Sequence, residues 1–304
     1  MEWISSIKAT IDYIENNLLS VVGVEEIAKH VAVSPFYLQT GFRIMTGYSI
    51  GEYIRNRRLY LAGLDVWADK EKIIDIAYKY GYDTPESFTK AFSRFHGVTP
   101  SQIKKDPKKL KVFLPLKISV TIKGGYDMDY IVERMNGFKI IGFEREFGYD
   151  TEDSYTNIPL FWNELSEKYF KKLWSGESAP SDDIEKAILK YNIGLYGVCI
   201  DDDAEMSENG KFRYLIAGEY TGGDVPEGLK VYQLPDSEWA KFRCIGSMPA
   251  ALQSVNTKIF REWLPGNQEF ELAVPINIEW YSMGDPSSAD YESAIWLPVK
   301  RKNS

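Results

Sequence analysis

Two stretches of the sequence carry side chains that could form hydrogen bonds with the edges of DNA bases. Each reads as a short helix with apolar residues on one face and mostly polar residues on the other, which is typical of a helix packed on one side only. The outward faces consist of Phe36, Gln39, Thr40 and Arg43 in the first stretch and of Glu86, Thr89, Lys90 and Ser93 in the second. Amide, hydroxyl and charged groups of these types can bind the donors and acceptors of a major groove.

A hydroxyl residue directly precedes a proline at the start of each stretch, Ser34 in the first and Thr84 in the second. A hydroxyl N-cap followed by proline at the first helical position is a strong helix start. The free backbone amides at such a start can also bind phosphate oxygens. Ser34 and Thr84 therefore mark candidate phosphate contacts as well as caps.

The two stretches belong to a unit that occurs twice between residues 24 and 103. In each copy a short helix and a turn precede the capped helix, and two apolar residues four positions apart should face the core. These pairs are Leu38 with Phe42 and, fifty residues later, Phe88 with Phe92. A helix predicted over residues 50–68 joins the copies and would be roughly 27 Å long at ~1.5 Å per residue. Because one DNA turn is ~34 Å, a single chain could enter two successive major grooves.

The net charge of −8 is divided unevenly along the 304 residues. The first 110 residues contain 15 Lys and Arg against 13 Asp and Glu, and the remainder contains 21 against 31. A mildly basic region is therefore followed by an acidic one. Two cysteines, Cys199 and Cys244, indicate neither a disulfide framework nor a metal site, and no cofactor is expected. No signal peptide or long apolar run is present, so we expect a cytoplasmic protein.

The sequence predicts a multidomain chain with a change of fold class after a basic linker. We expect an all-α domain at residues 1–106, a linker with one strand at 107–127, and an α+β domain at 128–302. The strand in the linker is predicted from the alternation of apolar residues over 112–123. From residue 128 the pattern strand, strand, helix, strand, strand occurs twice, about a hundred residues apart. Two such copies predict a pseudo-symmetric domain with a cleft between them.

The repeated helical region contains the strings SIGEYIRNRRL at residues 49–59, IIDIAYKYGY at 73–82 and SFTKAFSRFHGVTP at 87–100, and Gln39 in its first capped helix. These strings resemble the double helix-turn-helix DNA-binding domain of AraC/XylS-family transcription regulators, closest to their Rob-like branch. The resemblance implies double-stranded DNA and RNA polymerase as partners, with activation as the output. It also implies base contacts from both capped helices and phosphate contacts from the connecting helix, where Arg55 lies.

Two positions depart from the pattern of that family. Thr40 and Lys90 stand where arginine is usual, and the paired hydrogen bonds of arginine to guanine are among the best base discriminators. Glu86 could accept a hydrogen bond from cytosine, or could instead interact with the N-terminus of its own helix. We therefore expect a DNA site that differs from those of the relatives.

The acidic region contains FREWLPGNQEFEL at residues 260–272, IEWY at 278–281 and IWLPV at 295–299. These strings resemble the gyrase-inhibitory-protein-like effector-binding domain of BmrR-type regulators. The resemblance implies an acidic residue at the base of an aromatic cleft that attracts a small lipophilic or cationic effector. Glu279 is the positional match for that residue. The candidate aromatic walls are Trp162, Tyr196, Tyr281 and Trp296.

The residues around Glu279 leave alternatives open. Strand alternation places Glu279 on one face with Asn277 and Tyr281, and a buried carboxylate needs either a cationic ligand or an internal Lys or Arg. Trp162 and Trp296 could equally be core residues.

Two other functions compete with an effector-responsive regulator. One is hydrolysis of a small molecule, with a glutamate activating water; the other is a constitutive regulator whose acidic region binds a protein. His30 and His96 both lie outside the acidic region, and no G-x-S-x-G nucleophile motif occurs. We therefore expect a regulator that is not an enzyme.

Overall fold

The computed structural model describes residues 3–20, 23–118, 128–148, 156–176, 179–201 and 210–302. Contacts between residues divide the chain into two compact units. The helical unit comprises Met1–Val33 and Met45–Ile122, and the sheet unit comprises Ser34–Ile44 and Lys123–Ser304. In this grouping residues 34–44 pack with the later part of the chain, and the segment after residue 106 is grouped with the helices.

Helices account for the regular structure described in the first 105 residues. They are α1 (Trp3–Asn16), α2 (Val24–Val31), α3 (Pro35–Thr46), α4 (Ile50–Ala68), α5 (Ile73–Lys79), α6 (Pro85–His96) and α7 (Pro100–Lys105). The capped helices of the two sequence repeats are α3 and α6, and α4 is the connecting helix. The order and type of these elements confirm the predicted helix-turn-helix pattern.

Local hydrogen bonds explain where α3, α4 and α6 begin. The Oγ of Ser34 accepts from the amide of Tyr37 at 3.2 Å, and the Oγ1 of Thr84 accepts from the amide of Ser87 at 3.1 Å. The start of α4 has a reciprocal capping box, in which the side chains of Ser49 and Glu52 each bind the other's backbone amide. A glycine in the left-handed region, with φ of 76°, ends α6 at position 97.

The core of the helical unit forms around α6. Phe88 and Phe92 are fully buried and pack together with ring centroids 5.4 Å apart. Their cluster includes Leu59, Ala62 and Val66 of α4, Ile76, Ala77 and Tyr80 around α5, and Phe95 and Ile103. Full burial of an aromatic side chain contributes about 1.5–3 kcal/mol to folding. The predicted core pair of α6 is thereby confirmed.

The strand predicted within the linker does not form over residues 112–118, and residues 119–123 lie outside the described part of the chain. Leu114 is 63% exposed, whereas Phe113 packs edge-on against Tyr48 at 5.4 Å. Pro115 lacks the amide hydrogen that a strand interior requires. The apolar alternation over residues 112–118 therefore does not indicate a strand, and Phe113 instead packs against the helical unit.

The sheet unit contains one antiparallel sheet. Its strands are β1 (Tyr130–Met135), β2 (Lys139–Gly148), β3 (Tyr196–Ile200), β4 (Lys211–Glu219), β5 (Lys230–Gln233), β6 (Ser237–Ile245), β7 (Phe270–Leu272), β8 (Ile276–Tyr281) and β9 (Glu292–Arg301). Over the described residues the order is β1-β6-β9-β8-β3-β4-β2-β5, and β7 pairs with β9.

The strand order shows the predicted internal symmetry. The first strand of each repeat pairs with the second strand of the other repeat, β1 with β6 and β5 with β2. At the centre of the sheet, β3 of the first repeat pairs with β8 of the second. Each repeat is therefore completed by the other, and the two cannot be separate domains.

Alternation along the strands gives the sheet two different faces. Asn277, Glu279 and Tyr281 of β8 lie on one side, which we call the Glu279 face. Cys199 is paired with both Asn277 and Tyr214, so Tyr214 of β4 lies on the same face. The opposite face has its own apolar core, which includes Tyr196, Val198, Trp239, Ile278, Trp280 and Trp296.

Helices cover the Glu279 face. In the first repeat, α8 (Ile158–Leu165) continues through a π-helical turn at Ser166–Phe170 into α9 (Lys171–Trp174). A further helix, α10 (Asp183–Tyr191), was not predicted. In the second repeat, α11 (Ala250–Lys258) continues through a π-helical turn at Ile259–Trp263. Ring contacts join both helical segments to the sheet, Phe161 with Phe147 at 6.1 Å and Trp263 with Phe242 at 4.9 Å.

Candidate functional site

Glu279 lies in the middle of β8, directly opposite Gly197 of β3. The missing side chain at Gly197 gives the carboxylate its space. A Cβ at this position would collide with the Tyr214 hydroxyl oxygen and would lie 3.1 Å from Oε2 of Glu279. A side chain at position 197 would therefore displace the Tyr214 hydroxyl from its place beside Glu279.

Two tyrosine hydroxyls and one indole form a short hydrogen-bond chain that ends at Glu279. Tyr281 donates to Oε2 of Glu279 at 2.7 Å, and Tyr214 donates to the same oxygen at 3.2 Å. Nε1 of Trp162 donates to the Tyr214 hydroxyl at 2.8 Å. The rings of Trp162 and Tyr281 meet edge-on at 5.2 Å. The predicted residues Glu279, Tyr281 and Trp162 thus lie together.

No Lys or Arg pairs with Glu279 among the residues that the structure describes. Within those residues, Glu279 is therefore not stabilised by an internal ion pair. Burial raises the pKa of the Glu279 carboxyl, and the hydrogen bonds from Tyr281 and Tyr214 act in the opposite direction. Burial and the negative charge of Glu279 hold the pKa of both phenols well above the ordinary tyrosine value. The phenols therefore remain donors, and the charge of an ionised Glu279 stays uncompensated.

Two of the predicted aromatic walls are wrong for this site. Tyr196 is paired with Trp280, and Trp296 is paired with Ile278, so both project from the face opposite Glu279. They pack on each other at 5.8 Å within the apolar core of that face. Strand alternation, once the pairing register is known, makes them core residues.

The residues that sequence reasoning missed are Tyr214 and Gly197. Tyr214 sits in a strand whose register against β3 is set by tertiary pairing. Asn277, on the same face as Glu279, has an Oδ1 that is buried without a hydrogen-bond partner among the described residues. A buried acceptor without a donor is costly, so this oxygen is a second unsatisfied group on the Glu279 face.

The outward face of α6 is accessible. Glu86, Lys90 and the cap Thr84 are exposed, and Thr89 is half-buried. Arg55 of α4 is also exposed, in keeping with its predicted position beside a phosphate backbone. Their roles in DNA contact stay predictions.

The corresponding face of α3 is covered within the sheet unit. Phe36 was predicted to face outward, but it is only 9% exposed and its ring lies 5.3 Å from that of Phe212 of β4. Gln39 has a buried Oε1 without a hydrogen-bond partner among the described residues. Thr40 and Arg43 are half-buried.

Three hydrogen bonds accompany this packing. The amide of Phe36 donates to Oδ2 of Asp201 at 3.2 Å, and the Tyr37 hydroxyl donates to the carbonyl of Ile276 at 2.6 Å. Nε of Arg261 donates to the carbonyl of Ile44 at 2.6 Å. These bonds join the segment 36–44 to Asp201, which follows β3, to β8 and to the second π-helical turn.

The described residues contain no cluster of three or more His, Cys, Asp or Glu side chains that could hold a metal ion. Nor do they contain a helix long and apolar enough to cross a bilayer.

Two family models match the chain, one in each region. Residues 128–300 match the GyrI-like small molecule binding domain, and residues 27–106 match a helix-turn-helix domain. The two matches do not overlap, and together they account for most of the sequence.

Relatives of the helical region include a transcriptional activator and a regulatory protein. The HTH-type transcriptional activator AarP of Providencia stuartii is 37% identical over 97 residues, 32% of this chain and 72% of its own length. The regulatory protein SoxS of Salmonella typhimurium is 36% identical over 95 residues, 31% of this chain and 89% of its own length.

Among solved structures, SAV2435 bound to tetraphenylphosphonium is similar to 57% of this chain over 94% of its own length, with 23% identity and a TM-score of 0.44. A TM-score of that size carries no further conclusion.

Proposed function

The chain belongs to the GyrI-like family of small-molecule-binding domains, joined to an AraC-type helix-turn-helix domain, and is a DNA-binding transcription regulator with an effector domain; we propose that its effector is a lipophilic cation bound beside Glu279. The observation that supports this proposal is the half-buried carboxylate whose hydrogen-bond partners are neutral phenols. An ionised carboxylate that is partly shielded from water is stabilised by a cation bound beside it.

The aromatic surroundings favour a flat or ring-bearing cation over a small hydrated one. Trp162 donates to the hydroxyl of Tyr214 and meets the ring of Tyr281, and both tyrosines donate to Glu279. A desolvated cation over an aromatic face gains roughly 0.5–2 kcal/mol per ring. The unpartnered Oδ1 of Asn277 adds an acceptor for an effector that carries an N–H group.

The proposal is tested by titrating tetraphenylphosphonium, which keeps its charge at every pH, into the full chain and into Glu279→Gln. We expect the substitution to weaken binding by at least about ten-fold, because it removes a buried charge but preserves shape. A neutral triphenyl compound should bind both proteins equally. Equal affinity of both proteins for the cation would contradict the assignment.

Glu144→Gln is a matched control for this titration. Glu144 also accepts a hydrogen bond from a tyrosine, Tyr232, but it lies on the opposite face of the sheet. The control variant should bind tetraphenylphosphonium like the unaltered chain. A loss equal to that of Glu279→Gln would mean that removing any one negative charge lowers affinity.

We propose that the regulator binds DNA in the cytoplasm through both capped helices. Gln39, Thr40, Arg43, Glu86, Thr89 and Lys90 would contact bases, and Ser34, Thr84 and Arg55 would contact phosphates. The name of AarP, a transcriptional activator, supports activation as the output and RNA polymerase as the partner. Transcription in a purified system tests this output, because a repressor would lower the transcript level from its own selected site and an activator would raise it.

We also propose that the sheet unit binds its effector without hydrolysing it. Both phenols near Glu279 already donate to the same carboxylate oxygen, so neither is free to protonate a leaving group. Incubation with a cationic aromatic ester should return the ester intact. Release of acid at a rate that Glu279→Gln abolishes would instead support hydrolysis.

A further inference from the structure

The first recognition helix is attached to the surface that carries the candidate effector site. Residues 34–44 belong to the sheet unit, and their contacts reach three separate elements of it. The amide of Phe36 donates to Asp201, and its ring packs at a tilted angle against Phe212. The hydroxyl of Tyr37 donates to the carbonyl of Ile276, and its ring lies 6.4 Å from that of Phe260.

These contacts involve β4, which carries Tyr214, and β8, which carries Glu279. Phe212 and Tyr214 are two residues apart on β4, so their side chains project from the same face about 7 Å apart. Ile276, which accepts the hydrogen bond of Tyr37, is three residues from Glu279 on β8. The ring of Phe36 packs on Phe212, so a cation with several aromatic rings that extends from Tyr214 along β4 would compete with Phe36 for this surface.

The packed position of α3 is incompatible with reading DNA. The ring of Phe36 is covered by Phe212, and the amide oxygen of Gln39 is enclosed without a hydrogen-bond partner among the described residues. A glutamine amide is suited to bind adenine through both of its polar atoms. The packed state therefore leaves a polar group unsatisfied that DNA would satisfy, which limits the stability of this state.

We propose that α3 is an intramolecular latch: the sheet unit holds the first recognition helix away from DNA, and an effector beside Glu279 displaces it. Coupling follows if the effector binds the open state more tightly than the closed state. The same coupling requires that DNA raises the affinity for the effector by an equal factor. The effector half of this inference rests on the proposed function, whereas the latch itself rests on the contacts of α3.

The latch is tested in the full chain without effector, using a DNA duplex that the protein itself selects from a random pool. Arg261→Ala removes the hydrogen bond to Ile44 from outside the recognition helix. We expect it to raise DNA affinity about five-fold, because one anchor of the closed state is lost. Unchanged or reduced affinity would overturn the latch. Arg301→Ala, which removes an exposed arginine paired with Glu269, is the control and should change nothing.

A second variant acts at the other end of α3. Tyr37→Phe keeps the ring but removes the hydrogen bond to Ile276, and it should also raise ligand-free DNA affinity about five-fold. Tyr191→Phe is the matched control, since Tyr191 is a buried tyrosine that donates to the carbonyl of Gly222 at 2.7 Å. An increase of the same size in Tyr191→Phe would show that loosening the sheet unit in general, and not the release of α3, raises affinity.

The latch and the effector proposal fail in different ways. If the two anchor variants raise DNA affinity but tetraphenylphosphonium does not, the latch stands and the choice of effector is wrong. If tetraphenylphosphonium binds in a Glu279-dependent way but the anchor variants leave DNA affinity unchanged, the effector site stands and the latch is overturned.

Discussion

The two recognition helices, α3 and α6, have matching sequences but different surroundings. Both begin at a hydroxyl N-cap before proline, and both bury two apolar residues four positions apart. Yet the outward face of α6 is exposed, whereas Phe36 and the amide oxygen of Gln39 on α3 are buried within the sheet unit. An amphipathic pattern therefore specifies a helix and its core face, and leaves open what covers the other face.

The largest effect is expected in the core that fixes α6. Phe92→Ala should lower the free energy of unfolding of the helical unit by about 3–5 kcal/mol, because a fully buried aromatic ring is replaced by a cavity. Urea unfolding followed by circular dichroism measures this loss. A change below about 1 kcal/mol would mean that the cluster around α6 is not the core of the unit.

DNA binding should separate the two helices functionally. In the effector-free chain, Lys90→Ala should weaken binding by about 1–3 kcal/mol, whereas Gln39→Ala should have almost no effect because α3 is covered. Salt concentration must be held constant, since phosphate contacts dominate affinity. An equal loss from both substitutions without effector would show that α3 and α6 read DNA together in that state.

Acidification should weaken effector binding to the sheet unit. Burial raises the pKa of Glu279, so its carboxyl is protonated at a higher pH than in the unfolded chain. Its ionisation therefore reduces stability as pH rises through the raised pKa, and its attraction for a cation is lost as pH falls through the same value. Calorimetric titration of tetraphenylphosphonium at several pH values should show this loss in the unaltered chain and not in Glu279→Gln.

The smallest effect is expected at the helix caps. Thr84→Ala should cost about 1 kcal/mol of stability in the helical unit, because the amide of Ser87 loses its acceptor.

The same change at Ser34 removes the acceptor for the Tyr37 amide at the start of α3. If α3 is held mainly by the sheet unit, Ser34→Ala should lower the stability of the sheet unit rather than that of the helical unit. Thermal unfolding followed separately in the two units shows which of them loses stability in Ser34→Ala.

Local patterns in the sequence predicted most elements of the fold. Helix starts, apolar pairs and strand alternation act over a few residues, so α6, the doubled strand pattern and the position of Glu279 on β8 could be anticipated. Helix α10 was missed although its caps are visible in the sequence, since Asp182 accepts from the amide of Glu185 and Asn192 adopts a left-handed conformation. The short strand β7 was also missed.

What the sequence could not supply is the register between distant strands. Tyr196 and Trp296 were expected beside Glu279, but pairing with Trp280 and Ile278 turns both toward the other face. Tyr214 was overlooked for the same reason, because its place near Glu279 depends on the pairing of β4 with β3. A shift of one residue in a strand reverses every side chain, so aromatic composition alone does not define a cleft.

The most direct test of the difference between α3 and α6 is amide hydrogen exchange in the full chain, with and without tetraphenylphosphonium. Without the cation, the amides of residues 36–44 should exchange slowly, at the rate of the neighbouring strands β4 and β8. The cation should speed their exchange and leave that of α6 unchanged, and Glu279→Gln should abolish this response. Exchange in α3 that is fast from the start, or that stays slow when the cation is bound, would contradict the latch.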